Sequence, residues 1–212
     1  MLTNQKPYKA IELLLLFVAL PISLILPFLP VFKLITVLIG VGYCIWIARK
    51  HQLITKKSLY QIKIRDYWKT ILISLILVFV SSFIFIYLLH PEDLFIVVKK
   101  KPLMWIMVLF FYAIFSVYPQ ELMYRSFFFK RYEGLFKNTN YLLIANIIVF
   151  PLAHLMFKNW LVLLVTLIGG ILFAFTYKKS KSVMLTSIEH AIYGNWLFTI
   201  GMGEMLAFPM PN

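Results

Sequence analysis

The sequence has 212 residues, of which 62% are hydrophobic and only 14% charged, and its formal net charge is +13. Soluble domains carry about a quarter charged residues, so the composition excludes an ordinary water-solvated globule and points to a membrane protein. The cations sit in short clusters between apolar runs. That pattern excludes a nucleic-acid groove and reads as membrane topology and contact with lipid headgroups.

Charge-free apolar runs of about 17–25 residues are long enough to cross a bilayer as helices. In chain order the runs are Leu13–Phe32, Leu34–Ala48, Ile71–Leu89, Leu103–Tyr118, Tyr141–Phe157 (apolar apart from Asn146 and His154), Trp160–Tyr177 and Val183–Met202 (apolar apart from Glu189, His190 and Asn195). They predict an all-α, polytopic transmembrane bundle of about seven helices. Pro21, Pro27 and Pro30 crowd the first hairpin. The first run is too long for a signal peptide and lacks a small-residue cleavage site, so it is expected to stay as an anchor. Residues 1–101 are read as N-terminal helices with a basic loop at 49–69, which has room for a short interfacial helix. Residues 102–212 are read as the core that carries the chemistry. The single cysteine, Cys44, allows no disulfide within the chain and reads as a small buried apolar residue.

The orientation follows from the cations. With the N-terminus inside, Lys6, Lys9, the 49–69 loop, Lys130, Arg131, Lys137 and Lys178–Lys181 share the cytoplasmic side, while Lys33, Lys99–Lys101 and Lys158 face out. This is a positive-inside bias, with the Lys99–Lys101 run against it. The expected location is a bacterial cytoplasmic membrane, with lipid as the surrounding partner.

Ionisable side chains inside a span are costly, and function is the default reading for them. Glu121, Arg125, His154, Glu189 and His190 all fall in the second half of the chain. Glu121 lies about 15 residues before the 133–140 turn and His154 about 15 after it, which at about 1.5 Å per residue puts both ~20 Å from that turn. His190 lies about ten residues past the 178–181 cluster, at a depth of about 15 Å by the same rise. Three polar groups therefore converge. Glu121 and Arg125 are four residues apart and share a helix face. Phe150 and His154 have the same spacing. Pro119 removes a backbone hydrogen bond and predicts a kink beside the acid. Arg125 is expected to hold Glu121 ionised and to snorkel toward the cytoplasmic side. Glu189 is expected to pair with Arg125 or a lysine. A carboxylate and a histidine can orient and deprotonate a water, and a second histidine with an asparagine can stabilise the oxyanion of an attacked carbonyl.

At these residues the chain resembles the CAAX prenyl endopeptidase family of intramembrane proteases, also called the bacteriocin-processing family. Its motifs are EExxxR, FxxxH and HxxxN. Here they stand as QELMYR at 120–125, FPLAH at 150–154 and HAIYGN at 190–195, and the resemblance covers about Leu103 to Gly203. It implies that Glu121, His154, His190 and Asn195 are catalytic, with Gln120, Arg125 and Phe150 in support. A glutamate and a histidine would activate water, and the other histidine with Asn195 would form the oxyanion site. Two neutral histidines and a carboxylate also suit zinc, for which His154 and His190 would be the ligands.

The chain departs from the pattern twice. Gln120 replaces the leading glutamate, and an amide cannot take a proton. Asn195 follows His190 by five residues instead of four. A π-bulge near Gly194 would restore the common face. Three functions follow: an endopeptidase acting on a peptide or membrane-protein tail, a non-catalytic membrane scaffold, or a small carrier. Leader peptides, bacteriocin precursors or signalling peptides are the substrates the resemblance implies, and self-immunity is a related role.

Overall fold

A computed structural model describes residues 2–54, 68–206 and 208. The interfacial helix expected within 49–69 lies largely outside the described residues. Among those residues the chain is helical, with no strand.

Helix α1 starts at Lys6–Leu14 with a proline in its first turn, and runs on through a π turn at Leu15–Ala19 to Leu20–Ser23. Helix α2 is Pro30–Lys50 and opens on a proline, whose fixed φ and missing N–H suit a first helical position. The apolar run Leu13–Phe32 is therefore not one helix. Its prolines divide it between the end of α1 and the start of α2. Helix α3 is Trp68–Leu89. A 3-10 turn at Pro91–Asp93 and a short helix at Ile96–Lys100 lead into α4, Pro102–Leu135.

Three side-chain caps set the next boundaries. Asn138 accepts from the backbone N–H groups of Asn140 and Tyr141 at the start of α5, Thr139–Phe157. Asn159 does the same for α6, Trp160–Ser180. Ser182 accepts from Leu185 N–H and starts α7, Val183–Leu197, which continues into a π turn at Phe198–Met202. Such caps satisfy donors that a helix start leaves unpaired.

Helices α2 to α6 are each long and apolar enough to cross a membrane. Their outer faces expose large apolar side chains, among them Leu34, Leu77 and Leu103, as lipid solvation allows and water does not. Helix α7 differs. It buries Glu189, His190, Tyr193 and Gly194 and packs against α3, α4 and α6. It is the inner helix of the bundle. The aromatic run of α4 anchors α1: the Phe17 ring meets Tyr124 and Phe128 edge-on, each at 5.1 Å.

Candidate functional site

The site is built on α4, α5, α6 and α7. In α4, two π turns, Tyr112–Val117 and Leu122–Phe127, flank the short α-helical stretch Tyr118–Glu121 that contains Pro119. A π turn admits one extra residue and shifts the side chains that follow onto a new face. Pro119, where a kink is expected, thus sits between two wide turns, and Glu121 is not turned into the cavity that Gln120 lines. Gln120 and Glu121 share the α-helical stretch between these turns and point about 100° apart. Gln120 lines a partly open cavity of about 610 Å³, together with Tyr112, Ser116, His154 and His190. Glu121 is absent from that lining and has no exposed surface.

Behind the cavity wall, Glu121 is held from two sides. His190 Nδ1 donates to its Oε1 at 2.8 Å, and Arg125 Nε donates to its Oε2 at 3.1 Å. Arg125 is also wholly buried. Its Nη1 donates to Asn146 Oδ1 on α5, and the Asn146 amide donates to the Tyr124 carbonyl at 2.6 Å. The guanidinium lies 4.7 Å from the centre of the Phe150 ring, a cation–π distance. Arg125 does not snorkel, as the sequence suggests it should; the pair with Glu121 and the amide on α5 turn it inward.

His190 is clamped as a ring. Phe173 of α6 stacks on it at 4.4 Å and 20°, and Tyr112 Oη lies 3.2 Å from its Nε2. His154 follows Pro151, where α5 loosens into a 3-10 turn. Its Nδ1 donates to the Phe150 carbonyl at 3.3 Å. The Phe150 ring stands between the two histidines, 5.5 Å from His154 and 5.8 Å from His190. The convergence expected from depth alone is therefore seen in three dimensions, with Glu121 in contact with His190 and His154 sharing the cavity.

Asn195 does not join them. Helix α7 is regular through Gly194, and the π turn comes later, at Phe198–Met202. Five residues on from His190, the Asn195 amide faces α4 and donates to the Leu109 carbonyl at 3.4 Å. Glu189 accepts from Tyr193 Oη at 3.0 Å and makes no ion pair with Arg125 or a lysine among the described residues.

Among the described residues, no third His, Cys, Asp or Glu ligand atom joins His154 and His190 to complete a zinc site. Among the described residues, the one group of three His, Cys, Asp or Glu ligand atoms lying within 4.8 Å of one another is His90, Glu92 and Asp93, away from the site. His190 donates from Nδ1 to Glu121, which leaves its Nε2 toward the cavity, and Glu121 itself is closed off from the cavity.

Asn146, Phe173 and Tyr112 were not legible as site residues. Asn146 is the one visible signal, an amide alone in an apolar run. The other two are aromatics in apolar helices and look like packing.

Among known proteins, residues 102–196 match the family described as Type II CAAX prenyl endopeptidase Rce1-like. No curated protein and no solved structure matches the chain. The matched segment runs from the first residue of α4 to one residue past the third motif, and so contains Glu121, Arg125, His154 and His190. Residues 102–196, which carry the three motifs, are thus similar to the family described as type II CAAX prenyl endopeptidase Rce1-like.

Proposed function

We propose that this chain is an intramembrane endopeptidase that hydrolyses a peptide or membrane-protein tail within the apolar cavity. The observation that carries the reading is the 2.8 Å hydrogen bond between Glu121 and His190 in the wall of a cavity that His154 also lines. A carboxylate that accepts from Nδ1 fixes the proton there and leaves Nε2 as an acceptor. His190 Nε2 takes a proton from water. The water oxygen bonds to the substrate carbonyl carbon, and negative charge moves to the carbonyl oxygen. When the C–N bond breaks, the proton passes from His190 to the leaving amine. Glu121 is a positioning residue here: it acts through His190 and does not meet the water. His154, with its Nδ1 proton on Phe150, offers Nε2 to orient the same water. Leader peptides or bacteriocin precursors in a bacterial cytoplasmic membrane are the favoured substrates.

One observation favours a second reading, a non-catalytic scaffold of the same family. Gln120 stands in the cavity wall where the family's leading glutamate would stand, with its amide on Ser116 Oγ at 2.9 Å. An amide there cannot act as a base.

The two readings separate in one experiment, cleavage of a broad membrane-peptide library by purified wild type, Glu121→Gln and Gln120→Glu. The peptidase reading expects wild type to cut and Glu121→Gln to be slower by about 100-fold or more, the usual scale of a lost acid–base arrangement. Cleavage by Gln120→Glu alone would establish the scaffold reading instead.

A further inference from the structure

The peptidase reading leaves the oxyanion without the donor that the third motif would supply. Asn195 is turned toward α4, and the position four residues after His190 is Gly194. In a regular helix that position stands one turn on and on the same face as His190. Gly194 is not merely small. A Cβ built on it would lie 2.2 Å from Tyr112 Oη, 2.5 Å from Tyr112 Cε1 and 2.6 Å from Tyr112 Cζ. Real Cβ atoms do not approach that closely, so the Tyr112 hydroxyl occupies the space in which a side chain at 194 would begin.

Tyr112 reaches that space from another helix. It opens the first π turn of α4, lines the cavity, and has its Oη 3.2 Å from His190 Nε2. Its ring meets the His190 ring edge-on, at 6.1 Å and 82°. Because His190 Nδ1 donates to Glu121, the neutral ring presents a lone pair at Nε2, and the phenol O–H is the donor to it.

We propose that Tyr112 is a catalytic residue of this site, whose phenol O–H, standing where the motif's asparagine amide would stand, donates to the oxyanion of the attacked peptide carbonyl. This rests on the peptidase reading. At rest the O–H covers the lone pair of the base. When water takes Nε2, the O–H turns to the carbonyl oxygen as charge develops there. No proton leaves the phenol. Gly194 is the other half of the device, since any side chain at 194 pushes the hydroxyl out.

The test is steady-state cleavage of a peptide that wild type cuts, by Tyr112→Phe, Gly194→Ala, and the double variant Tyr112→Ala with Gly194→Asn. Thermal unfolding in detergent serves as the folding control. Loss of one preorganised oxyanion donor lowers kcat by about 100- to 1,000-fold, so Tyr112→Phe is expected to fall by that factor with KM little changed. Gly194→Ala should fall with it. The double variant returns an amide to the motif position in the space the phenol vacates, and should recover part of the loss. A purely structural tyrosine would give neither the split between kcat and KM nor the recovery. Wild-type kcat in Tyr112→Phe overturns the role of Tyr112 and leaves the peptidase reading standing. A wild type that cuts nothing overturns both.

Discussion

Arg125 is held by three kinds of contact at once. Nε is on Glu121, Nη1 is on Asn146, and the flat face is over Phe150. A planar fork can do this and an ammonium cannot. Breaking a buried pair strands the remaining charge, at a cost of about 3–5 kcal/mol. Arg125→Lys is therefore expected to lower the unfolding midpoint in detergent strongly although the charge is kept. The neutral pair Arg125→Met with Glu121→Gln should recover much of that stability while cleavage stays lost. An unchanged midpoint in Arg125→Lys would mean that charge alone matters there. The Glu121–Arg125 pair was legible from its four-residue spacing. Asn146 was not legible as its partner, because a contact between residues 125 and 146 depends on how two helices pack, and no local spacing encodes it.

Helix boundaries were legible where composition changes abruptly, as at the capped starts of α5, α6 and α7. They were not legible in Leu13–Phe32, where hydropathy is continuous and only prolines mark the break. Nor did spacing reveal the two π turns of α4 or the later one of α7. These follow from packing, and they decide which residues face the cavity. Gln120 and Glu121, adjacent in the α-helical stretch between the two π turns and about 100° apart on it, end on opposite sides of the wall. The π turn of α7 also depends on Gly201, which has φ +113°, a conformation that residues with a Cβ rarely adopt. A Cβ there would lie 2.3 Å from the Asp93 carbonyl oxygen. The end of α7 and the Pro91–Asp93 turn close on each other through this glycine. Gly201→Ala is expected to cost about 1–3 kcal/mol through backbone strain, read as a lower thermal midpoint, with Gly134→Ala, where nothing lies within 4 Å, as the silent control. Equal midpoints for the two variants would show that the turn is free to relax.

At the scale of the whole molecule, one end of the bundle is tied together by polar contacts. Arg131 at the end of α4 donates from Nε to Glu12 Oε1 at 2.8 Å and from Nη2 to the Thr3 carbonyl at 2.5 Å. Thr3 Oγ1 lies 3.2 Å from His51 Nε2, and Lys178 Nζ donates to Asn140 Oδ1 at 2.9 Å. The N-terminus, the end of α2, the α4–α5 turn and the end of α6 thus share one face, which is also the lysine- and arginine-rich one. The positive-inside rule places such a face in the cytoplasm, and the Lys99–Lys101 run, at the other end of α4, opposes it. Two exposed lysines flank α4 and decide the matter, Lys101 just before it and Lys137 just after it. In a Cys44→Ala background, which removes the one native thiol, a membrane-impermeant maleimide added to intact cells should label Lys101→Cys and leave Lys137→Cys unlabelled until the cells are opened. The reverse pattern would invert the bundle and put the basic face outside. Labelling of both in intact cells would mean that α4 does not cross the membrane, and the cavity between α4 and α7 would then be open to water instead of enclosed by lipid.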